Sequence, residues 1–405
     1  MLSKESIEFI RDHASDDPVK LLLSSKKVPH SDMKLIVSAI EGRKKIAAKV
    51  PEWGERFDLC YPSSVSLEQC SSAFTAEFKQ YLFKQKNVLD ITGGLGVDSY
   101  YISKVAKSLV YFERNKELFD AVKYNFGRLE VVNTMFVNTE VNESNIPGVP
   151  DLEKVYTVYA DPSRRGPSDS RIFNPEDYEP NMNKLMDLLL GFAERIIIKV
   201  SPMADITSLI KSFTAVCEII IVSVFNECKE ILVIIDRKNR LSPVPLEKVK
   251  IQAANFEKSE KKWKIFEWSL SEESSSGAVI STPEKGNYMY EPNSGLLKGG
   301  AFKILCNRYS IGKISLSSHL YISKIQIPDF PGRSFRIEEI YDFDKKGIKE
   351  IGLKFPKANV STRNFNLTPP ELKERLGVKD GGEIFLFGTL FSDNSRKIVV
   401  CTKAG

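Results

Sequence analysis

The 405-residue sequence has only three histidines and six cysteines, and the cysteines, at 60, 70, 217, 228, 306 and 401, form no C-x-x-C pair. Zinc sites and disulfide frameworks need such residues clustered or paired, so neither is expected and no metal is assigned. No apolar run approaches the roughly 20 residues that span a bilayer, so no membrane association is expected. The opening stretch MLSKESIEFIRDHASDD lacks the apolar core of a secretory signal, which predicts a cytoplasmic protein. Internal repeats and long low-complexity tracts are absent as well. What remains, 42% hydrophobic and 27% charged residues, is a globular composition. The length exceeds one ordinary core, so two or three domains are expected.

The net charge is a modest +5 but unevenly placed. From Leu241 onwards there are 26 Lys and Arg against 19 Asp and Glu, a surplus of seven, whereas the first 240 residues hold 32 and 34. A basic C-terminal portion suits an anionic partner such as nucleic acid. A merely solvated basic surface gives the same count.

The segment around which the rest is arranged is NVLDITGGLGVDSYYISKVAKSLVYFE, Asn87 to Glu113. Asn87–Thr92 is short, apolar and branched, as a strand covered on both faces should be. Gly93, Gly94 and Gly96 allow a tight turn that leaves room for a ligand. Asp98 opens the helix that follows, and Ser108–Glu113 forms a second strand. At its end Glu113 can accept bonds from both hydroxyls of a ribose. Gly94-x-Gly96-x-x-Ser99 only approximates the dinucleotide fingerprint, since Ser99 replaces the third glycine. Asp90, just before the turn, would repel a pyrophosphate but suits the ammonium of a methionine moiety. S-adenosylmethionine therefore fits better than NAD.

Around this segment the chain reads as an N-terminal helical portion and a series of alternating strands and helices. Met33–Ala47 has apolar residues at helical spacing, Pro51 stops that helix, and a single helix follows in 66–83, with Ser66 and Gln69 as its capping pair. Gln69, Ser72 and Thr75 are candidate cofactor contacts, with helix capping as the competing role. Further strands are expected at Val131–Asn138, Lys154–Asp161, Arg195–Val200, Cys217–Phe225 and Glu230–Arg237. Asn138 could read an adenine edge or cap a loop. The last two strands are joined by four residues, too few for a crossover helix, so they must be antiparallel neighbours. The fold class is thus α/β, a doubly wound Rossmann-like sheet ending in an antiparallel hairpin. Beyond Arg240, Ser271–Gly277 reads as a polar connection, Gly300–Arg308 as a helix and Lys349–Phe355 as a strand. A further helix should begin at Thr368, with Pro369 at its first position, Glu371 completing a capping box and Gly377 ending it. Short strands alternating with single helices make this region an α+β module or two.

Chemistry concentrates at Asp161-Pro162-Ser163-Arg164-Arg165-Gly166, the end of the fourth strand. In a doubly wound sheet Asp161 then faces the cleft beside the glycine turn, where it could accept hydrogen bonds from an exocyclic amine. Pro162 would stiffen the loop and leave carbonyls available as acceptors. No covalent nucleophile is required, because positioning alone can supply roughly 7–11 kcal/mol. Arg164 and Arg165 could bind phosphates, stack on a base, or pair with Asp161 and Asp169. Lys199 and Ser201, ending the fifth strand, are candidate substrate contacts.

These blocks resemble a known family. DITGGLGVD, YFE, DPSRR and KVSP look like the signatures of class I SAM-dependent methyltransferases. More narrowly, LEQCSSAFTAEFK (67–79), DPSRRG (161–166), ECKEIL (227–232), YEPNSGLLKGGAF (290–302), FPGRSF (330–335) and TRNFNL (362–367) resemble bacterial methyltransferase-like proteins with ferredoxin-like and THUMP-like C-terminal domains. The resemblance implies four regions: an N-terminal helical segment (1–80), a methyltransferase domain (81–240), a connecting and ferredoxin-like region (241–328) and a THUMP-like domain (329–405). It also implies an RNA partner, tRNA or rRNA. The methyltransferase part is distantly similar to trimethylguanosine synthase and other enzymes that methylate exocyclic amines through a D/N-P-P-aromatic motif. Here Ser163 stands for the second proline and Arg164 for the aromatic. The leading expectation is a SAM-dependent N-methyltransferase acting on an RNA base. The alternatives are an RNA-binding protein that holds SAM without catalysis, and a methyltransferase acting on a small molecule or a protein.

Overall fold

The computed structural model describes residues 2–17, 20–21, 30–62, 64–148, 154–164 and 177–404, and only the backbone of 30–32, 64, 65, 147 and 164. Its contacts divide the chain into two units, Met1–Val224 with Lys229–Pro245, and Phe225–Cys228 with Leu246–Gly405.

The first unit begins with helices α1 (Lys4–Asp12), α2 (His30–Ala47), α3 (Pro51–Gly54), α4 (Ser64–Gln69) and α5 (Ala73–Lys79). Pro51 does more than end α2: it is the first residue of α3, where its missing N–H costs nothing. The single helix expected in 66–83 is two helices, because Ser72 caps a new start by accepting the Thr75 N–H. The strands of this unit are β1 (Asn87–Asp90), β2 (Ser108–Phe112), β3 (Thr134–Val137), β4 (Thr157–Ala160), the short pair β5 (Ser163–Arg164) and β6 (Tyr178–Glu179), then β7 (Arg195–Val200), β8 (Val216–Val224) and β9 (Glu227–Asp236). Seven of them lie in the order β8-β9-β7-β4-β1-β2-β3. The pairs from β7 to β3 are parallel, and β9 runs antiparallel to β7. Ile196, Ile197 and Ile198 are fully buried on successive positions of β7, the mark of a sheet covered on both faces.

Helices α6 (Val97–Ser103), α7 (Lys116–Arg128), α8 (Met182–Phe192) and α9 (Ile206–Ser212) make the crossovers. Trp53, Leu67 and Ala76 of the N-terminal helices share one core with Val97, Tyr100, Val122 and Phe126 of α6 and α7. The helical segment and the sheet therefore fold as one body. The expected doubly wound α/β fold with its closing antiparallel strand is the one observed.

In the second unit β10 (Lys250–Glu257) and β11 (Lys262–Ser269) form an antiparallel hairpin. The polar segment Ser271–Gly277, expected as a loose connection, instead lies largely in helix α10 (Leu270–Ser275). Ser269 and Glu272 cap it reciprocally. A seven-stranded sheet follows, in the order β13-β14-β12-β15-β18-β17-β16. Its strands are β12 (Tyr288–Pro292), β13 (Gly312–Lys313), β14 (Tyr321–Ser323), β15 (Gly332–Asp342), β16 (Asn359–Arg363), β17 (Ile384–Leu390) and β18 (Arg396–Lys403). Gly300–Arg308 contains a turn and then a helix, since α11 (Ser294–Gly299) ends at left-handed Gly300 and α12 (Lys303–Tyr309) begins afterwards. Lys349–Phe355 is helical, not extended: it completes α13 (Lys345–Lys354), whose start is capped by Asp344 accepting the Gly347 N–H at 2.8 Å. The last helix, α14 (Pro369–Leu376), has the expected Thr368–Glu371 capping box, and Gly377 follows it in the left-handed conformation.

Candidate active site

Strand β1 delivers Asp90 to the start of the glycine turn. Gly94 and Gly96 adopt positive φ (56° and 79°), and a Cβ on Gly93 would lie 2.1 Å from the Tyr111 ring. The turn is thus written into glycine by backbone conformation at two positions and by close packing at the third. Glu113, just past the end of β2, accepts the Gly94 N–H at 3.0 Å and the Asn115 N–H at 2.7 Å. Tyr111 donates its hydroxyl to the Gly94 carbonyl at 2.6 Å. Asn138, beyond β3, donates its side-chain amide to the Glu113 and Arg114 carbonyls. Its amide oxygen makes no hydrogen bond among the described residues.

Asp90 is 1% exposed, accepts the Thr92 N–H at 3.0 Å, and is bonded by the Ser99 hydroxyl. Burial, with the neighbouring Asp98 and Asp161 charges, pushes its carboxyl up to about 7 against the lowering effect of those two hydrogen bonds. The Thr92 hydroxyl accepts the Asp161 main-chain N–H at 2.6 Å, tying the loop after β4 to the turn after β1.

A charged network lies next to these groups. Lys199 at the end of β7 contacts Asp161 at 2.7 Å and Asp98 at 3.5 Å. Lys79, fully buried, contacts Asp98 at 3.1 Å and Glu230 at 2.5 Å. Asp98 also accepts the Ser71 hydroxyl at 2.8 Å and the Tyr159 hydroxyl at 2.6 Å. Burial alone would raise the Asp98 carboxyl, but the two lysines and two hydroxyls outweigh it and hold it below the ordinary range. Burial likewise disfavours the charged form of Lys199, and Asp161, Asp98 and Glu230 reverse that, so its ammonium is retained. Glu230 is raised, because burial exceeds the attraction of Lys79 and Lys199.

Of the residues singled out from sequence, the fold thus gathers Asp90, Gly93, Gly94, Gly96 and Glu113 at one turn and joins Asp161 and Lys199 to it. Asp98 is turned into the charged network. Ser72 and Thr75 cap α5, Gln69 is exposed at the end of α4, and the Ser201 hydroxyl accepts the Met203 N–H after β7. Pro162 is buried; Arg164 pairs through its backbone with Tyr178, and Arg165 and Asp169 lie outside the described residues. Sequence reasoning passed over Ser71, Lys79, Tyr159 and Glu230. One signal was available: Glu230 opens an otherwise apolar strand run, Ile231–Ile235.

An adenosyl cofactor fits this turn in two respects. A Cβ at Gly94 would meet only the Thr92 carbonyl, at 3.7 Å, so the turn is open there. Glu113 keeps lone pairs beyond the two used by the backbone. Asp90 differs: both its oxygens are engaged inward.

Sheet order, closing antiparallel strand and glycine turn together define a class I methyltransferase fold. Across 100% of both chains the protein matches, at 31% identity and a TM-score of 0.91, a crystal structure described as a "putative methyltransferase" from Porphyromonas gingivalis W83. Residues 288–331 match a ferredoxin-like domain family and 332–403 a THUMP domain-like family. The chain belongs to the bacterial methyltransferase-fold family that carries these two C-terminal domains. An rRNA methylase from Streptococcus thermophilus is 13% identical over 40% of this chain and 94% of its own, with a TM-score of 0.30. A "putative methyltransferase" from Streptococcus mutans in complex with SAH is 18% identical over 40% and 95%, also with a TM-score of 0.30. Those two likenesses are too distant to bear on this chain's substrate. No curated protein matches. Among the described residues no group of side chains could hold a metal ion, and no helix is long and apolar enough to cross a membrane.

Proposed function

We propose that the protein transfers a methyl group from S-adenosylmethionine to an amino nitrogen of an RNA base, in tRNA or rRNA. The observation that carries this reading is the Asp161–Thr92 bond, which sets the acid of the β4 loop beside the glycine turn. When bound, the cofactor supplies a methyl on a cationic sulfur that is already a good leaving group, so the chain's share of the work is placement. Gly93, Gly94 and Gly96 would hold it by their backbone and Glu113 by its ribose. Asn138 would offer its amide oxygen to the adenine, with Gln69, Ser72 and Thr75 as flanking contacts. Asp90, its oxygens already serving Thr92 and Ser99, would act towards the ammonium group through the turn it braces, and Asp98 would act through the lysines it holds. Asp161, its side chain 39% exposed and in contact with Lys199, would accept from the substrate amine and fix its lone pair towards the methyl. Pro162 would restrain that loop, and Arg164, Arg165 and Ser201 would contact the RNA. The basic C-terminal portion and the THUMP-like match support RNA over a small molecule.

The test combines calorimetry with transfer of labelled methyl to bulk small RNA. Asp161→Ala should keep SAM affinity within about threefold and lower transfer by on the order of 100-fold. Absence of any binding heat at millimolar SAM sinks the cofactor assignment, and undiminished transfer sinks the role of Asp161. Ser163 and Arg164, standing where related motifs have proline and an aromatic, favour a second reading: RNA binding with SAM held but no transfer. Salt-dependent RNA binding without methyl incorporation would select it.

A further inference from the structure

Three sequence blocks that the methyl-transfer site leaves unused, YEPNSGLLKGGAF, FPGRSF and TRNFNL, meet in the second unit. Glu291 is the fourth residue of β12 and is 1% exposed. Arg333, its register partner on β15, grips one carboxylate oxygen through Nε, at 2.7 Å, and Nη2. Arg363, the last residue of β16, contacts the other oxygen at 2.6 Å. The sheet alternation places these groups on the face that carries Met289, Phe335 and Phe387, so an apolar surface ends in a charged rim.

Two features distinguish this cluster from a closed ion pair. One carboxylate serves two guanidinium groups, leaving a surplus positive charge, and the arginine side chains are 41% and 36% exposed. Donors are also left over. Arg333 Nη1 makes no hydrogen bond among the described residues, while buried Arg363 Nε and the buried hydroxyl of Thr389, its register partner on β17, have none either. Nearby His319 adds no charge at neutral pH, because burial, with Lys313 and Arg363, pulls it down to about 4.

We infer that Arg333 and Arg363, splayed on Glu291, form an anion site that takes a phosphodiester of RNA. The buried carboxylate hydrogen-bonds Arg333 through one oxygen and holds Arg363 by an ion pair to the other, so little side-chain freedom is lost when a phosphate oxygen is bound. The paired planar donors suit that ligand better than a diffuse basic surface. The site spans the ferredoxin-like and THUMP-like stretches, since Glu291 lies in the former and both arginines in the latter. The choice of RNA as ligand rests on the proposed function.

The test is fluorescence anisotropy of the full chain with a labelled unstructured RNA 20-mer across a salt series. Arg363→Gln and Arg333→Gln should each weaken binding about five- to tenfold at ~50 mM salt and reduce the log–log salt slope by about 0.7. Glu291→Gln, which removes the competing negative charge but keeps an oxygen to hold the arginines, should tighten binding. Should an arginine variant unfold because buried Glu291 loses one of its two partners, the Glu291→Gln/Arg363→Gln pair removes that burden and should still show the reduced slope. Folded variants with wild-type slope and affinity overturn the site, as does weaker binding by Glu291→Gln. The two proposals fail separately. Methyl transfer with arginine-independent binding removes only this site, whereas arginine-dependent binding without transfer removes only the catalytic reading. Absence of RNA binding by the wild type removes both.

Discussion

The charges beneath the glycine turn and those at the end of the second unit's sheet solve the same problem in opposite ways. In the first unit Lys79, Lys199, Asp98 and Glu230 are almost wholly enclosed, and each ammonium touches two carboxylates. Removing water from four ionised groups costs free energy that only mutual pairing recovers, so no member is spare. In the second unit one buried carboxylate holds two arginines that remain partly in water. There the cations keep part of their solvation, and a ligand can replace it. A closed network fixes geometry, whereas an open one offers binding capacity.

The sharpest way to break this comparison is to delete a buried cation. Lys79→Met should lower stability by about 3–5 kcal/mol, read from the shift in urea midpoint, because buried Glu230 then loses its ion pair and Asp98 keeps only Lys199. Adding Glu230→Leu should restore at least half of that loss; no recovery would mean the network is not what holds these residues. The next effect is a pH dependence at Asp90. Its folded pKa, raised to about 7, exceeds the unfolded value near 3.9, so the unfolded chain releases its proton first as pH rises. This group's contribution is therefore complete below about pH 4 and is lost as pH climbs to about 7. Relative to Asp90→Asn, the wild type should lose about 2–3 kcal/mol between pH 5 and 7. Parallel pH profiles for the two proteins would refute that assignment.

On the open side, Glu291→Gln should cost only about 1–2 kcal/mol, since the arginines it releases are partly solvated. A loss as large as that of Lys79→Met would erase the distinction between the two clusters. Smallest of all is the exposed Lys116–Asp120 pair on α7. Lys116→Ala should move the unfolding midpoint by no more than about 0.5 kcal/mol, which makes it the reference for charge pairs that water already screens.

Much of the fold was legible wherever the signal is local. The sequence from Asn87 to Glu113 places strand, turn, helix and acid correctly, because branched residues, glycines and a terminal carboxylate each act within a few positions. The capping box at Thr368 and Glu371 was equally readable. Two segments were not. Apolar residues at 348, 351, 353 and 355 satisfy either period, and the Asp344 cap decides in favour of helix α13. The serines of 274–276 look like a linker until Glu272 closes a capping box with Ser269. Of the candidate site, the glycine turn and the place of Asp161 just after β4 could be read from their motifs, whereas the groups around Asp98 could not.

The sequence by itself determined the alternation of strands and helices, the turn after β1 and the acids that close β1, β2 and β4. Those depend on backbone conformation and on burial of neighbouring residues. Only the tertiary structure decided which charges meet. Lys79 and Glu230 stand 151 positions apart, and Glu291 reaches Arg333 and Arg363 across different strands. A pairing of that kind leaves no periodic trace in the chain, because it is set by where whole elements pack and by the need to neutralise charge once water is gone.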